Sequence, residues 1–161
     1  MPLPVQNAIA LWVESTGLPV FWANQDAERP QGAYVLLSST VSPVSSPWVE
    51  GSANPNPSPG QEMIHTARLV ERLALTIAVF NAQAVAESML SDLVNALPQY
   101  ADALRASGWA PATFSDVQNI SIAGAAFFEP RCQMTAYGYT SSSATEAGTI
   151  VDSAVISGNV I

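Results

Sequence analysis

Lysine is absent from this chain, and cysteine and histidine occur once each, as Cys132 and His65. One thiol cannot close an internal disulfide, and one thiol with one imidazole cannot build the multi-ligand metal centres that these residue types supply. Glycine-rich phosphate loops of the GxxxxGK[ST] and GxGxxG kinds are missing, as is the GxSxG elbow of a serine nucleophile. No cofactor is expected. Positive charge is scarce: five arginines (Arg29, Arg68, Arg72, Arg105, Arg131) face 13 acids, for a net charge of −8. Phosphate binding relies on clustered cations, so nucleic acid is not an expected partner, although proximity to DNA without binding is compatible with this balance. Charged residues make up only 11% of the chain beside 48% hydrophobic ones, against roughly 25% charged in an average soluble domain. That deficit leaves two readings, apolar surface covered by other copies or partners and a soluble monomer whose surface is rich in Ser and Ala. The first residues lack a basic start and carry Gln6, Asn7 and Glu14 among the apolar ones. They read as neither a signal peptide nor a membrane span, which makes the expected site of synthesis cytoplasmic.

A length of 161 residues fits one domain able to bury roughly 70% of its unfolded surface. The organising stretch is residues 72–97, a strand that runs into a helix. Leu73, Leu75, Ile77 and Val79 alternate with Arg72, Ala74, Thr76 and Ala78, which puts the large aliphatics on one face. The period then changes, with Ala86, Leu90, Leu93 and Leu97 forming a helical stripe and Asn81 the expected N-cap. Upstream, residues 4–16 read as a helix with Val5, Ile9, Trp12 and Val13 on one side, stopped by Gly17 and Pro19. Val20 to Trp22 form a short strand, a polar loop follows, and residues 33–41 read as a central strand. Residues 42–60 hold Pro43, Pro47, Pro55, Pro57 and Pro59 among Ser, Asn and Gly, and are expected to form a long loop or irregular arm.

Downstream, Pro98 is expected to end one helix and begin a second, Gln99 to Ser107, with Tyr100 and Leu104 inward and Gly108 closing it. Strands are expected at about 115–123, from Arg131 to about Thr140, and at 149–160, with residues 141–148 as a loop. In the second of these, Cys132, Met134 and Ala136 share one face while Arg131, Gln133, Thr135, Tyr137 and Tyr139 share the other. Antiparallel strands joined by loops with helices gathered on one side give an α+β fold.

No arrangement of these residues reads as an active site. His65 is expected at the surface, Cys132 as a buried inert thiol, and Glu129 with Arg131 as a structural or intersubunit ion pair. Arg29 is expected in a similar role, because each arginine adjoins a proline and has an acid close in sequence.

The order of short motifs, TGLPVFWANQDAERPQGAYVLL, the LALTIAVF strand with its helix, and FFEPRCQMTAYGY, resembles the phage neck or tail terminator proteins across nearly the whole chain. The positions carrying the resemblance are Trp22, Asn24, Gln25, Arg29, Pro30, Gly32, Tyr34, Glu129, Pro130 and Arg131. It implies a non-enzymatic virion subunit, assembled in the host cytoplasm, that forms a ring, typically a hexamer. Such a ring caps the tail tube and joins it to the head, with the tube protein and the head-tail connector as partners and no membrane. The expected subunit-interface residues are Trp22, Arg29, Tyr34, Trp48, Glu129 and Arg131, with Trp48 in the proline-rich segment reaching a neighbouring copy. The lumen is expected to be acidic or neutral. Two other readings are another virion ring component, such as a connector or tube subunit, and a small-molecule binder or enzyme holding an anion on Arg29 or Arg131 between helix and sheet.

Overall fold

A computed structural model describes residues 1–24, 30–44, 46, 48–56, 58–61, 63–82, 85–123 and 128–148. Helix α1 (Leu3–Glu14) starts with a proline in its first turn, where a missing N–H costs nothing, and buries Val5, Ile9, Trp12 and Val13. Its end is well satisfied: Ser15 Oγ donates to the Trp12 carbonyl at 2.6 Å, Thr16 Oγ1 donates to that of Val13 at 2.8 Å, and Gly17 turns left-handed at φ 76°.

Four strands of the sheet then run in the order β1 (Val20–Trp22), β2 (Tyr34–Pro43), β4 (Met63–Phe80) and β9 (Arg131–Gly148), with β5 (Trp109–Phe114) beyond β9. β3 (Trp48–Ala53) pairs with β4, and β6 (Gln118–Asn119) pairs with β9. All contacts in this seven-stranded sheet are antiparallel except β1 with β2. β7 (Ile122–Ala123) and β8 (Phe128–Glu129) make a separate small ribbon. Helix α2 (Ala86–Ser107) packs with α1 on one face of the sheet, so the fold is α+β with its helices on one side.

The core lies between the helices and the half of the sheet nearest Phe80. Leu73, Leu75, Ile77 and Val79 of β4 meet Met134 and Ala136 of β9, Val35 and Leu37 of β2, and the stripe Ala86, Leu90, Leu93 and Leu104 of α2. Trp12 ties the layers together, donating from Nε1 to the Leu93 carbonyl at 3.0 Å and packing 6.3 Å from Trp109. Gly138 allows β5 to close on β9: a Cβ there would meet the Trp109 indole nitrogen and lie 2.5 Å from the Ala110 carbonyl oxygen.

Several elements differ from the sequence reading, each for a local reason. The segment 42–60 is not all loop. β2 runs into Pro43, and Trp48–Ala53, which contains no proline, is a strand along the edge of β4. β4 begins at Met63, and β9 runs on through residues 141–148. In this stretch Met63, Ile64, Leu69 and Val70 mix with His65, Thr66 and Arg68 on both faces, so no period of two marks it. Pro98 does not split the second helix. It lies on the solvent side, where water can serve the Val94 carbonyl that the proline leaves without an N–H partner. Asn81 is not its cap. It takes φ 56° and donates from its amide to the Gly32 carbonyl at 3.3 Å, while Val85 occupies the cap position with no side-chain cap bond. In place of the expected strand at 115–123 are the two short strands β6 and β7, preceded by β5, and the expected strand 149–160 lies outside the described residues.

Candidate assembly surface

The two longest strands overrun the core. β4 and β9 pair along their whole lengths, from Phe80 opposite Arg131 to Met63 opposite Gly148, but β2 accompanies β4 only from Phe80 to Glu71. Beyond that point β3 takes over, from Trp48 opposite Arg68 to Ala53 opposite Met63. The outer part of β4 (Met63 to Val70) therefore belongs to a three-stranded extension projecting about 27 Å at 3.4 Å per residue. None of its described side chains is in the core, all of β3 is exposed, and β4 there is half-buried apart from the exposed Arg68. Val49 is 65% exposed and Trp48 39%. A small sheet with two uncovered faces is poorly stabilised by itself, and its continuity with the body is what holds it.

Trp48 is fixed by its neighbours. Its Nε1 donates to Glu50 at 3.2 Å, and Glu50 also receives Arg68 Nε at 3.0 Å across the β3–β4 pairing. Arg68 belongs to the sheet face turned away from the helices, because it stands four residues, an even number, before Arg72 on the same strand, and Arg72 lies opposite Tyr139. On that face the Arg72 guanidinium lies over the Tyr137 ring at 4.4 Å. Nearer the Phe80 end, Tyr34 stacks on Phe80 with ring centroids 4.7 Å apart, and the Arg131 guanidinium lies over the Phe80 ring, 4.2 Å from its centroid. Arg131 also reaches Glu129 at 3.7 Å, with both side chains less than a quarter exposed.

The residues expected at an interface are thus distributed over different environments. Trp48 lies on the extension; Tyr34, Glu129 and Arg131 gather around Phe80; Trp22 packs into the core; Arg29 lies outside the described residues. Sequence reasoning missed Arg72 and Tyr139 as members of one face. Joining the two strands in register would have found them, since each strand's alternation was already readable.

Little here is arranged for catalysis. Among the described residues none that is polar or charged is fully buried, and no three potential ligands gather to hold a metal. Burial, with a smaller contribution from the Glu87 carboxylate, pushes the Cys132 thiol above its ordinary value of 9.0 and away from the nucleophilic thiolate. His65 is a half-buried residue of β4. Arg131 faces away from the helices, so it does not enter the space between helix and sheet where an anion was considered. No helix among the described residues is long and apolar enough to cross a membrane.

The family model described as phage neck terminator protein matches residues 4–161, essentially the whole chain. The chain belongs to the phage neck terminator protein family. No curated protein matches it. A neck terminator is a structural component of the virion, found at the neck and tail and associated with other neck and tail proteins. The site to look for in a neck terminator is consequently a contact surface, and among the described residues the extension and the arginine-bearing face are candidates.

Proposed function

We propose that this chain is a single-domain subunit of a ring, a hexamer, which ends the tail tube and joins it to the head through the tube and connector proteins. The observation that carries this reading is the extension of β3, β4 and β9 past the core, with Trp48 and Val49 exposed on it. An isolated subunit gains nothing from ordering such a sheet in water, whereas a neighbouring copy can cover its apolar side chains. Membership of the neck terminator family supports the location. The Tyr34–Phe80–Arg131–Glu129 cluster then serves to hold the end of the sheet, and Trp22 to anchor β1 to the core beneath it. DNA passes through the ring without being gripped, in keeping with the net charge of −8.

Deleting residues 44–58 tests the reading, because none of the described residues in that segment contributes a core side chain. The expected product is a folded chain that assembles poorly and fails to support infectious particles. Particles lacking the protein altogether are expected to show tails of uncontrolled length or tails detached from heads. Absence of any tail tube would instead mark the chain as a tube subunit, and normal assembly by the deletion variant would overturn the role given to the extension.

A further inference from the structure

The arginines of the sheet share one face. Arg68, Arg72 and Arg131 all lie on the sheet face away from the helices, fixed there by the β4–β9 register. Glu50 and Glu129 already pair with Arg68 and Arg131, whereas Arg72 is exposed, rests on Tyr137 and has no acid within ion-pair distance among the described residues. Tyr139, opposite Arg72 in the register, is 49% exposed. The helix layer on the other side carries Glu14, Glu87, Asp92 and Asp102, all exposed, against Arg105 alone, which pairs locally with Asp102 at 3.3 Å. Between the end of α1 and the middle of α2, Asp92 lines a groove of about 340 Å³ with Ser15, Thr16, Met89, Ala96 and Gln99.

We propose that the open sheet face of one copy seats on the helix layer of the next, with Arg72 entering the groove beside Asp92. This deepens the ring reading and rests on it. An arginine stem can lie along Met89 and Ala96 while its planar fork meets a carboxylate, a match that a lone exposed aspartate and a lone exposed guanidinium each lack within the subunit. The two surfaces lie on opposite faces of one layer pair, so a copy cannot offer both to the same neighbour. The contact is head-to-tail, and repeated it closes a ring or runs on as a filament. Nucleic acid fits this face less well, because two of its three guanidinium groups are already neutralised by carboxylates.

The test uses the full chain supplied to particles that lack it, with Arg72→Glu, Asp92→Arg, the two combined, and the cysteine pair Arg72→Cys with Asp92→Cys. Cys132 is buried and the chain has no lysine, so a short bismaleimide reports only on the introduced thiols. Each charge reversal is expected to lower assembly about tenfold or more, and the combination to recover most of it. The cysteine pair is expected to give a covalent ladder from dimer upward, while either cysteine alone gives none. Wild-type oligomers with unchanged assembly of both reversals, or linkage that stops at dimers, would overturn the proposal while leaving the ring intact. DNA binding by wild type that Arg72→Glu abolishes without changing assembly would overturn it in favour of phosphate. A wild-type chain that is monomeric in the particle would remove the ring itself.

Discussion

At Gly138 the absence of one carbon decides whether β5 can reach β9, since the Trp109 indole and the Ala110 backbone occupy the place where a Cβ would stand. Gly138→Ala is expected to destabilise the chain by about 3 kcal/mol, because the obstruction includes backbone that cannot rotate away; urea unfolding measures it, and an unchanged midpoint would show that β5 is displaced without cost. Trp12→Phe keeps most of the buried area but removes the donor to the Leu93 carbonyl, and about 1–2 kcal/mol should be lost. Cys132 titrates in a definable direction. Its folded-state thiol is raised above 9.0 by burial, so the folded state holds the proton longer than the unfolded chain does. The resulting contribution is fully present below pH 9 and is lost as pH rises through the folded value, and the wild type should lose more stability than Cys132→Ala between neutral pH and pH 10. Equal losses in the two proteins would contradict the burial of the thiol.

Among the elements, the extension is where structure and sequence pattern part company. Trp48→Ala should leave the isolated chain nearly as stable as wild type, because Trp48 is exposed and lies outside the core, but should weaken assembly by about 2 kcal/mol if a neighbour covers it. Sedimentation of the assembled material distinguishes these outcomes. The core half of β4 and the helix stripe were readable, because one covered face imposes alternation on a strand and a 3.6-residue period on a helix. The α1 boundaries and the Gly108 terminus were readable too, the latter now seen at φ 103° with Ser107 also closing on the Leu104 carbonyl. The outer halves of β4 and β9 were not, since a strand with neither face covered by its own chain has no reason to alternate. Proline-rich flanks hid β3 in the same way: the prolines lie outside Trp48–Ala53, and composition averaged over residues 42–60 concealed the strand between them. The interface candidates Tyr34, Glu129 and Arg131 came from the resemblance, and the fold places them around Phe80, whereas Arg72 needed the strand pairing that only the fold supplies.

For the molecule as a whole, the low charged fraction of 11% and the gathering of the sheet's arginines on one face belong together. Few charges suffice when they are divided between two surfaces that meet. With a net charge of −8, the purified protein should show no tight, salt-sensitive binding to duplex DNA; filter binding across a salt series tests this, and a steep slope would require a cation cluster that the described residues lack. The central claim is that copies of this chain close into a ring by covering one another's extensions. A cryo-electron-microscopy map of the head-tail junction tests it most directly. The account predicts a closed ring, six copies in number by the family resemblance, with the β3–β4–β9 extension of each copy lying against its neighbour and Trp48 buried there. A junction containing one copy, or a ring whose extensions stand free in solvent, would contradict it.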